Sequence, residues 1–270
     1  MKLALAQIEI IPKDVEGNIE RAESAIQSAA NNNADCIALP EIFSVGFFAF
    51  DAYEDIAEPI GGKTHSRLRT AANEYDIAVL AGSIVEDLSA TQQQTDIDVP
   101  PSNGLANTSV FFDHNGTRRG IYRKHHLFGY ESREAELLEP GTELNVVQYG
   151  GFTIGITTCY DLRFPELYRK LLDRNTSLIL VPSAWPYPRV EHWLTLPQTR
   201  AIENLEYVAT VNGVGDFENA TLAGRSRIFD PWGITKASTG DTADIIYADL
   251  DPERVKSIRD DFPALEDRRY

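Results

Sequence analysis

The stretch Phe152-Thr-Ile-Gly-Ile-Thr-Thr-Cys159-Tyr-Asp-Leu-Arg163-Phe-Pro165-Glu-Leu167 decides how the chain is organised. Its first half is apolar and β-branched, which reads as a buried strand. Cys159 stands where that strand ends. Pro165 then sits near the start of a helix over Phe164–Leu172, where its missing N–H costs nothing. A thiol at a strand end is presented rather than enclosed, and a nearby helix N-terminus favours the thiolate. The same residue alone also fits a structural cysteine. Cys36 fits that second description better, because it lies inside the short apolar run Cys36-Ile-Ala-Leu39.

Outward from this stretch, strand-like and helix-like segments alternate. Strands are expected at Leu3–Ile8, Cys36–Leu39, Ile77–Val85, Leu178–Val181 and Tyr207–Asn212, and helices at Asn18–Ala30, His65–Tyr75 and Glu191–Asn204. Thr108–Phe112 and Gly120–Lys124 form a hairpin through Asp113-His-Asn-Gly116. Val146–Tyr149 and Phe152–Thr157 form another through Gly150-Gly151. A last strand pair flanks Asp230-Pro-Trp-Gly233. The polar run Ser89–Ser102 is expected to be an exposed loop. Alternation mixed with hairpins predicts an α/β chain with mixed sheets. At 270 residues, roughly three quarters of the unfolded surface can be buried, and no linker or repeat divides the chain.

Two further residues share the position of Cys159. Glu41 follows Pro40 at the end of the Cys36–Leu39 strand and precedes an apolar segment. A carboxylate there needs a partner, and burial can tune it as a general base. Lys124 ends the strand that begins at Gly120 and precedes His125-His126-Leu-Phe128. Each alone also reads as a solvated strand-end charge. Three strand ends that gather at one rim of a sheet carry more weight.

Leu39-Pro-Glu41, Tyr122-Arg-Lys124-His-His-Leu-Phe128 and Cys159-Tyr-Asp-Leu-Arg-Phe-Pro-Glu-Leu167 resemble the three signature blocks of the nitrilase, or carbon–nitrogen hydrolase, superfamily. Their order and separation resemble it too: 83 residues from Glu41 to Lys124 and 35 from Lys124 to Cys159. The resemblance runs from the N-terminal Ala-Gln-Ile strand to Gly224-Arg-Ser-Arg-Ile-Phe-Asp-Pro-Trp-Gly233, nearly the whole chain. It implies a four-layer α-β-β-α sandwich in one domain over 1–270, and a Glu41-Lys124-Cys159 triad with no metal or cofactor. It also implies a second glutamate near the lysine, best matched by Glu134, with Glu136 the other candidate. Glu41 would take the thiol proton, and Lys124 with the backbone N–H of Tyr160 would hold the oxyanion. Asp161, Arg163 and Glu166 are expected to brace the loop through ion pairs, and His125 and His126 to support the lysine. The implied partners are a small amide and water. The resemblance further implies a homodimer or larger homo-oligomer, with the segment from about 258 to 270 reaching a partner subunit.

The block Ser183-Ala-Trp185-Pro186-Tyr-Pro-Arg189-Val-Glu-His-Trp193, with Arg200-Ala-Ile-Glu-Asn204 and Tyr207-Val, is similar to the branch containing bacterial ω-amidases. That branch cleaves the terminal amide of small 2-oxo acids such as 2-oxoglutaramate. Trp185 and Pro186 would wall a compact pocket, and Arg163 and Arg189 would face a substrate carboxylate. Asn212-Gly213 departs from the pattern, since many relatives carry Asn-Arg there. The resemblance also admits a nitrilase, an N-carbamoyl hydrolase, or a silent binding protein on the same fold.

Composition narrows the partners. The formal net charge is −16, from 41 acidic and 25 basic residues, which disfavours nucleic acid and anionic membranes. No segment reads as a membrane span, and the N-terminal alternation reads as a strand without a cleavage site, so a cytoplasmic location is expected. Only 7 of the basic residues are lysine. An acidic surface poor in lysine suits high salt, where screening relieves self-repulsion. Melting temperature and activity should therefore rise from low toward molar salt; a flat or falling melting curve across that range would leave an ordinary acidic protein.

Overall fold

Every second residue of the first strand, Leu3 and Leu5, points to one apolar layer, while Ala4 and Ala6 point to another. Such a strand is buried on both faces, and the rest of the architecture follows from that requirement. In the computed structural model, which describes residues 1–100 and 103–269, two mixed sheets stack face to face.

The first sheet contains β1 (Lys2–Gln7), β2 (Cys36–Ala38), β3 (Ala78–Leu80), β4 (Ile84–Asp87), β5 (Leu105–Phe112), β6 (Arg118–Arg123) and β15 (Asp244–Asp249). Its order is β15-β1-β2-β3-β5-β4, with β6 also on β5. The second contains β7 (Val146–Tyr149), β8 (Phe152–Ile156), β9 (Leu178–Ser183), β10 (Tyr207–Asn212), β13 (Arg227–Phe229) and β14 (Thr235–Ser238), in the order β14-β13-β10-β9-β8-β7. A separate hairpin joins β11 (Val214–Phe217) to β12 (Ala220–Ala223). The helices are α1 (Val15–Asn31), α2 (Tyr53–Ile56), α3 (Lys63–Glu74), α4 (Leu88–Gln94), α5 (Glu134–Leu137), α6 (Pro165–Leu172), α7 (Val190–Asn204) and α8 (Pro252–Asp261).

Three apolar layers hold these elements. Leu3, Leu5, Leu80 and Phe111 meet Ile154, Leu178, Leu180 and Ala209 between the sheets. Ile19, Ala22 and Ile26 of α1, with Leu68 and Ala72 of α3, cover the first sheet. Leu167, Leu171, Trp193 and Ala201 of α6 and α7 cover the second. The result is the α-β-β-α sandwich expected from the sequence. Cys36 lies in the layer between the sheets, fully buried, and burial pushes its thiol well up.

Two expectations need correction. The run Ser89–Ser102 is not wholly a loop: its start belongs to α4, while residues 101 and 102 lie outside the described residues. Asp87 caps α4 by accepting the Ala90 N–H at 2.9 Å, and Leu88 and Thr91 are buried. The expected strand Ile77–Val85 is two strands, β3 and β4, broken at Gly82. Gly82 has φ +53°, and a Cβ there would stand 2.0 Å from the Pro40 carbonyl oxygen. This close approach lets the turn support the chain on both sides of Glu41, for Ser83 Oγ also accepts the Ile42 N–H at 2.9 Å. Beyond α8 the chain lies against its own fold, with Phe262 on Trp232 and Arg268 on Asp173 at 2.9 Å.

One buried acid lies far from the strand-end residues. Glu206, between α7 and β10, accepts a hydrogen bond from Thr176 Oγ1 at 2.7 Å, and the Arg259 guanidinium is 3.9 Å away. Burial raises its carboxyl to about 7. The unfolded chain loses this proton near pH 4.5 and the folded chain near 7, so stability falls as pH rises between them, by on the order of 3 kcal/mol in all. Glu206→Gln should raise the melting temperature by several degrees at pH 8 and leave it unchanged at pH 4; an equal shift at both values would show that ionisation is not the cause.

Candidate active site

The side chains singled out in the sequence converge where the two sheets meet at their strand ends. Glu41 follows β2 and Lys124 follows β6, both from the first sheet, while Cys159 follows β8 of the second. The junction is stitched across the sheets: the Glu41 N–H donates to the Ser183 carbonyl at 3.3 Å, and the Ala184 N–H donates to Glu41 Oε2 at 2.9 Å. Glu41, Lys124 and Glu134 each have 0% of their surface exposed.

Lys124 Nζ donates to Glu41 Oε1 at 2.8 Å and to Glu134 Oε1 and Oε2 at 2.9 and 2.8 Å. Its three protons thus meet two carboxylates, and the ammonium also lies 5.1 Å from the centre of the Phe47 ring. Burial disfavours the ammonium, but the Glu134 and Glu41 charges outweigh burial and raise Lys124 well above its ordinary range. Burial pushes Glu134 up against the opposing pull of Lys124. The Phe128 N–H donates to Glu134 Oε2 at 2.7 Å, tying the segment after Lys124 to the same carboxylate. Glu136 lies on the surface, paired with Arg133 at 3.3 Å.

Cys159 opens the 3₁₀ turn Cys159–Arg163 and holds φ +46°. A residue with a Cβ rarely rests there, and such strain concentrates where a side chain must be aimed. The expectation of a thiolate favoured by a helix terminus is overturned. α6 begins only at Pro165. Burial first, and then the Glu41 carboxylate, push the Cys159 thiol up, while Lys124 and the Ala184 N–H pull it down. The surroundings of Cys159 thus disfavour the charged sulfur, and a carboxylate stands beside it.

The brace around this turn differs from the ion pairs expected. Asp161 accepts hydrogen bonds from the Thr158 N–H at 2.9 Å, Tyr122 Oη at 2.6 Å and the His126 N–H at 3.0 Å, and pairs with His126 Nδ1 at 2.7 Å. Glu166 is exposed at the start of α6. His125 stacks on Tyr122 and His126 on Phe164, so both histidines buttress the lysine segment from the side.

Cys159 opens into a pocket whose wall includes Tyr160, Arg163, Trp185, Pro186 and Arg189. Phe47, Phe48 and Phe128, which the sequence did not single out, complete the apolar lining. For Phe47 and Phe48 the available signal was the phenylalanine cluster Phe43–Phe50 beside Glu41, and Phe128 closes the block that follows Lys124. Arg163 lies over the rings of Trp185 and Tyr160, with Nη2 3.1 Å from His192 Nδ1. Arg189 lies over Phe128. Asn212 fixes the Trp185 backbone from both sides, accepting its N–H at 2.8 Å and donating to its carbonyl at 3.0 Å. A Cβ at Gly213 would meet Ile10 Cδ1 at 2.4 Å, so packing rather than a charge fills that position.

Asn107 was also missed. It sits in β5, and its Nδ2 donates to Glu41 Oε1 at 2.8 Å and to Glu134 Oε1 at 2.9 Å. An asparagine within the otherwise strand-favouring run Leu105–Phe112 was the sequence clue.

Known proteins are similar to this chain along most of its length. The Carbon-nitrogen hydrolase family profile matches residues 2–260. A 2-oxoglutaramate amidase of Paenarthrobacter nicotinovorans is 33% identical, covering 94% of this chain and 84% of that protein. An omega-amidase of Xenopus tropicalis is 32% identical, covering 100% and 95%. The crystal structure of Saccharomyces cerevisiae Nit3, a member of branch 10 of the nitrilase superfamily, superposes with a TM-score of 0.86 at 30% identity, covering 100% of this chain and 97% of that one. With the family profile spanning the fold and both sheets that meet at Cys159, the chain belongs to the carbon–nitrogen hydrolase family.

Proposed function

We propose that the protein hydrolyses the terminal amide of a small carboxylate-bearing substrate, through a thioester on Cys159. The observation that carries this reading is the fully buried Lys124 ammonium, held by Glu41 and Glu134 beside a thiol that faces a pocket. Because the thiol is pushed up, it needs a base, and Glu41 is the carboxylate next to it. Glu41 takes the thiol proton as sulfur bonds to the amide carbon. The carbonyl oxygen gains negative charge, which the Lys124 ammonium and the Tyr160 N–H stabilise. The tetrahedral intermediate collapses, the carbon–nitrogen bond breaks, and nitrogen leaves as ammonia with the proton from Glu41. Water then attacks the thioester, giving its proton back through Glu41, and the acid departs from sulfur. Glu134 keeps Lys124 in place throughout.

Cys159→Ala should abolish ammonia release while the fold is kept, and Cys36→Ala should leave turnover nearly intact, because that thiol is enclosed between the sheets. Substantial turnover in Cys159→Ala would end this mechanism. A panel of amides, nitriles and ureido acids separates amidase from nitrilase or N-carbamoyl chemistry on the same residues.

The likeness to a 2-oxoglutaramate amidase and an omega-amidase supports a short ω-amide with a carboxylate at its far end. The charged groups on the pocket wall are two guanidinium groups, those of Arg163 and Arg189. A charge-assisted hydrogen bond to one of them is worth roughly 1.5–3 kcal/mol. The uncharged analogue of the substrate should therefore lose about one to two decades in kcat/KM. Arg189→Ala should lose a similar amount toward the acid and little toward the neutral amide. Equal cleavage of acid and neutral amide would remove both arginines as carboxylate readers.

A further inference from the structure

The proposed machinery leaves an electrostatic imbalance. Glu41 and Glu134 bring two carboxylates to one ammonium, that of Lys124, in a space with no exposed surface. The other titratable groups facing Glu41 are Cys159, from the turn after β8, and Tyr53, from α2, whose phenol is pushed well up by burial and by both glutamates. Neither adds positive charge. Two like charges this close to one another, away from water, tend to share a proton. A proton held by Glu41 would remove the base.

Asn107 is the remaining group in contact with both. Its amide nitrogen carries two protons, and each goes to a carboxylate oxygen, Glu41 Oε1 at 2.8 Å and Glu134 Oε1 at 2.9 Å. The orientation of the amide is fixed by those neighbours, because an amide oxygen turned toward two carboxylates would be repelled. The cost is visible on the other side: Asn107 Oδ1 is buried without a hydrogen-bond partner among the described residues. Leaving an acceptor unpaired is unfavourable, so the two donations must outweigh it. The backbone is committed to the same place, since the Asn107 carbonyl accepts the Lys124 N–H at 2.9 Å.

We propose that Asn107 is a positioning residue that keeps Glu41 and Glu134 ionised together around Lys124, and so keeps Glu41 available as the base. It supplies two donors without adding a charge. A second lysine or arginine in its place would neutralise the site and weaken the hold of Glu41 on the thiol proton. The inference rests on the assignment of Glu41 as base.

The test is the pH dependence of kcat/KM for Asn107→Leu, which keeps the side-chain shape and removes both donors, and for Asn107→Ser, which is smaller and keeps one donor. In Asn107→Leu the acid limb of the profile should move up by about one to two pH units. At pH 7 the loss should fall mainly in kcat, and activity should recover toward the wild-type value at alkaline pH, where the carboxylate is ionised without help. Asn107→Ser should lie between, and it carries the test if Asn107→Leu does not fold. A folded variant that loses activity equally at all pH values, or keeps the wild-type acid limb, overturns the proposal. Glu41→Gln separates the two levels of the argument. If it is inactive while the Asn107 variants keep their acid limb, only the role of Asn107 falls; if it turns over with a wild-type acid limb, the base assignment falls as well.

Discussion

A lysine ammonium with no exposed surface is held between two carboxylates, and most of what is distinctive in this structure serves that contact. Breaking one side of such a pair costs about 3–5 kcal/mol, because the remaining charge stays buried without compensation. The contact therefore demands that Lys124, Glu41 and Glu134 arrive together. Glu41 is anchored by the Gly82 turn beneath Pro40 and by the Ala184 N–H. Glu134 is anchored by the Phe128 N–H, and Lys124 by the carbonyl of Asn107. Each anchor is backbone or glycine geometry, which has little freedom to relax.

The site is also a seam. Its charged half belongs to the first sheet and its sulfur to the second, so the apolar layer between the sheets sets the distance between base and nucleophile. Leu3, Leu5, Leu80, Leu178 and Leu180 in that layer are far from any substrate, yet their packing decides whether the proposed proton transfer has the right geometry. This explains why so compact a site needs so large a scaffold: two sheets and two helical layers are required to hold a buried ion pair on one sheet and a thiol on the other at a single seam.

The sequence made the strand-end positions of Glu41, Lys124 and Cys159 legible, because short apolar runs stop abruptly at each of them. The sandwich was legible through the resemblance those blocks carry. What was hidden depended on contacts between distant segments. Asn107 looked like an interruption in a strand, and only the fold brings it to Glu41 and Glu134. The surroundings of Cys159 were only half legible: the following helix is a local signal, while burial and the carboxylate from another sheet, which push the thiol up, are not. The helix α4 was hidden in a polar run because its commitment comes from Asp87 at its start and from two buried side chains, not from a continuous apolar face. Gly82 was invisible for a related reason: a strand-like run says nothing of a carbonyl that will press against one of its residues.

The edge of the first sheet gives this chain a particular order of events during its synthesis. β1 pairs with β2 on one side and with β15 on the other, Lys2 opposite Asp249, and the N-terminal amine donates to the Leu250 carbonyl at 3.0 Å. A chain leaving the ribosome at roughly 5–20 residues per second presents β1 long before its outer partner β15. Throughout that interval one edge of β1 carries free N–H and C=O groups, and Leu3 and Leu5 wait for the second sheet. β15 is thus the strand that seals the open edge of β1, and until it pairs there that edge is exposed to wrong strand pairing.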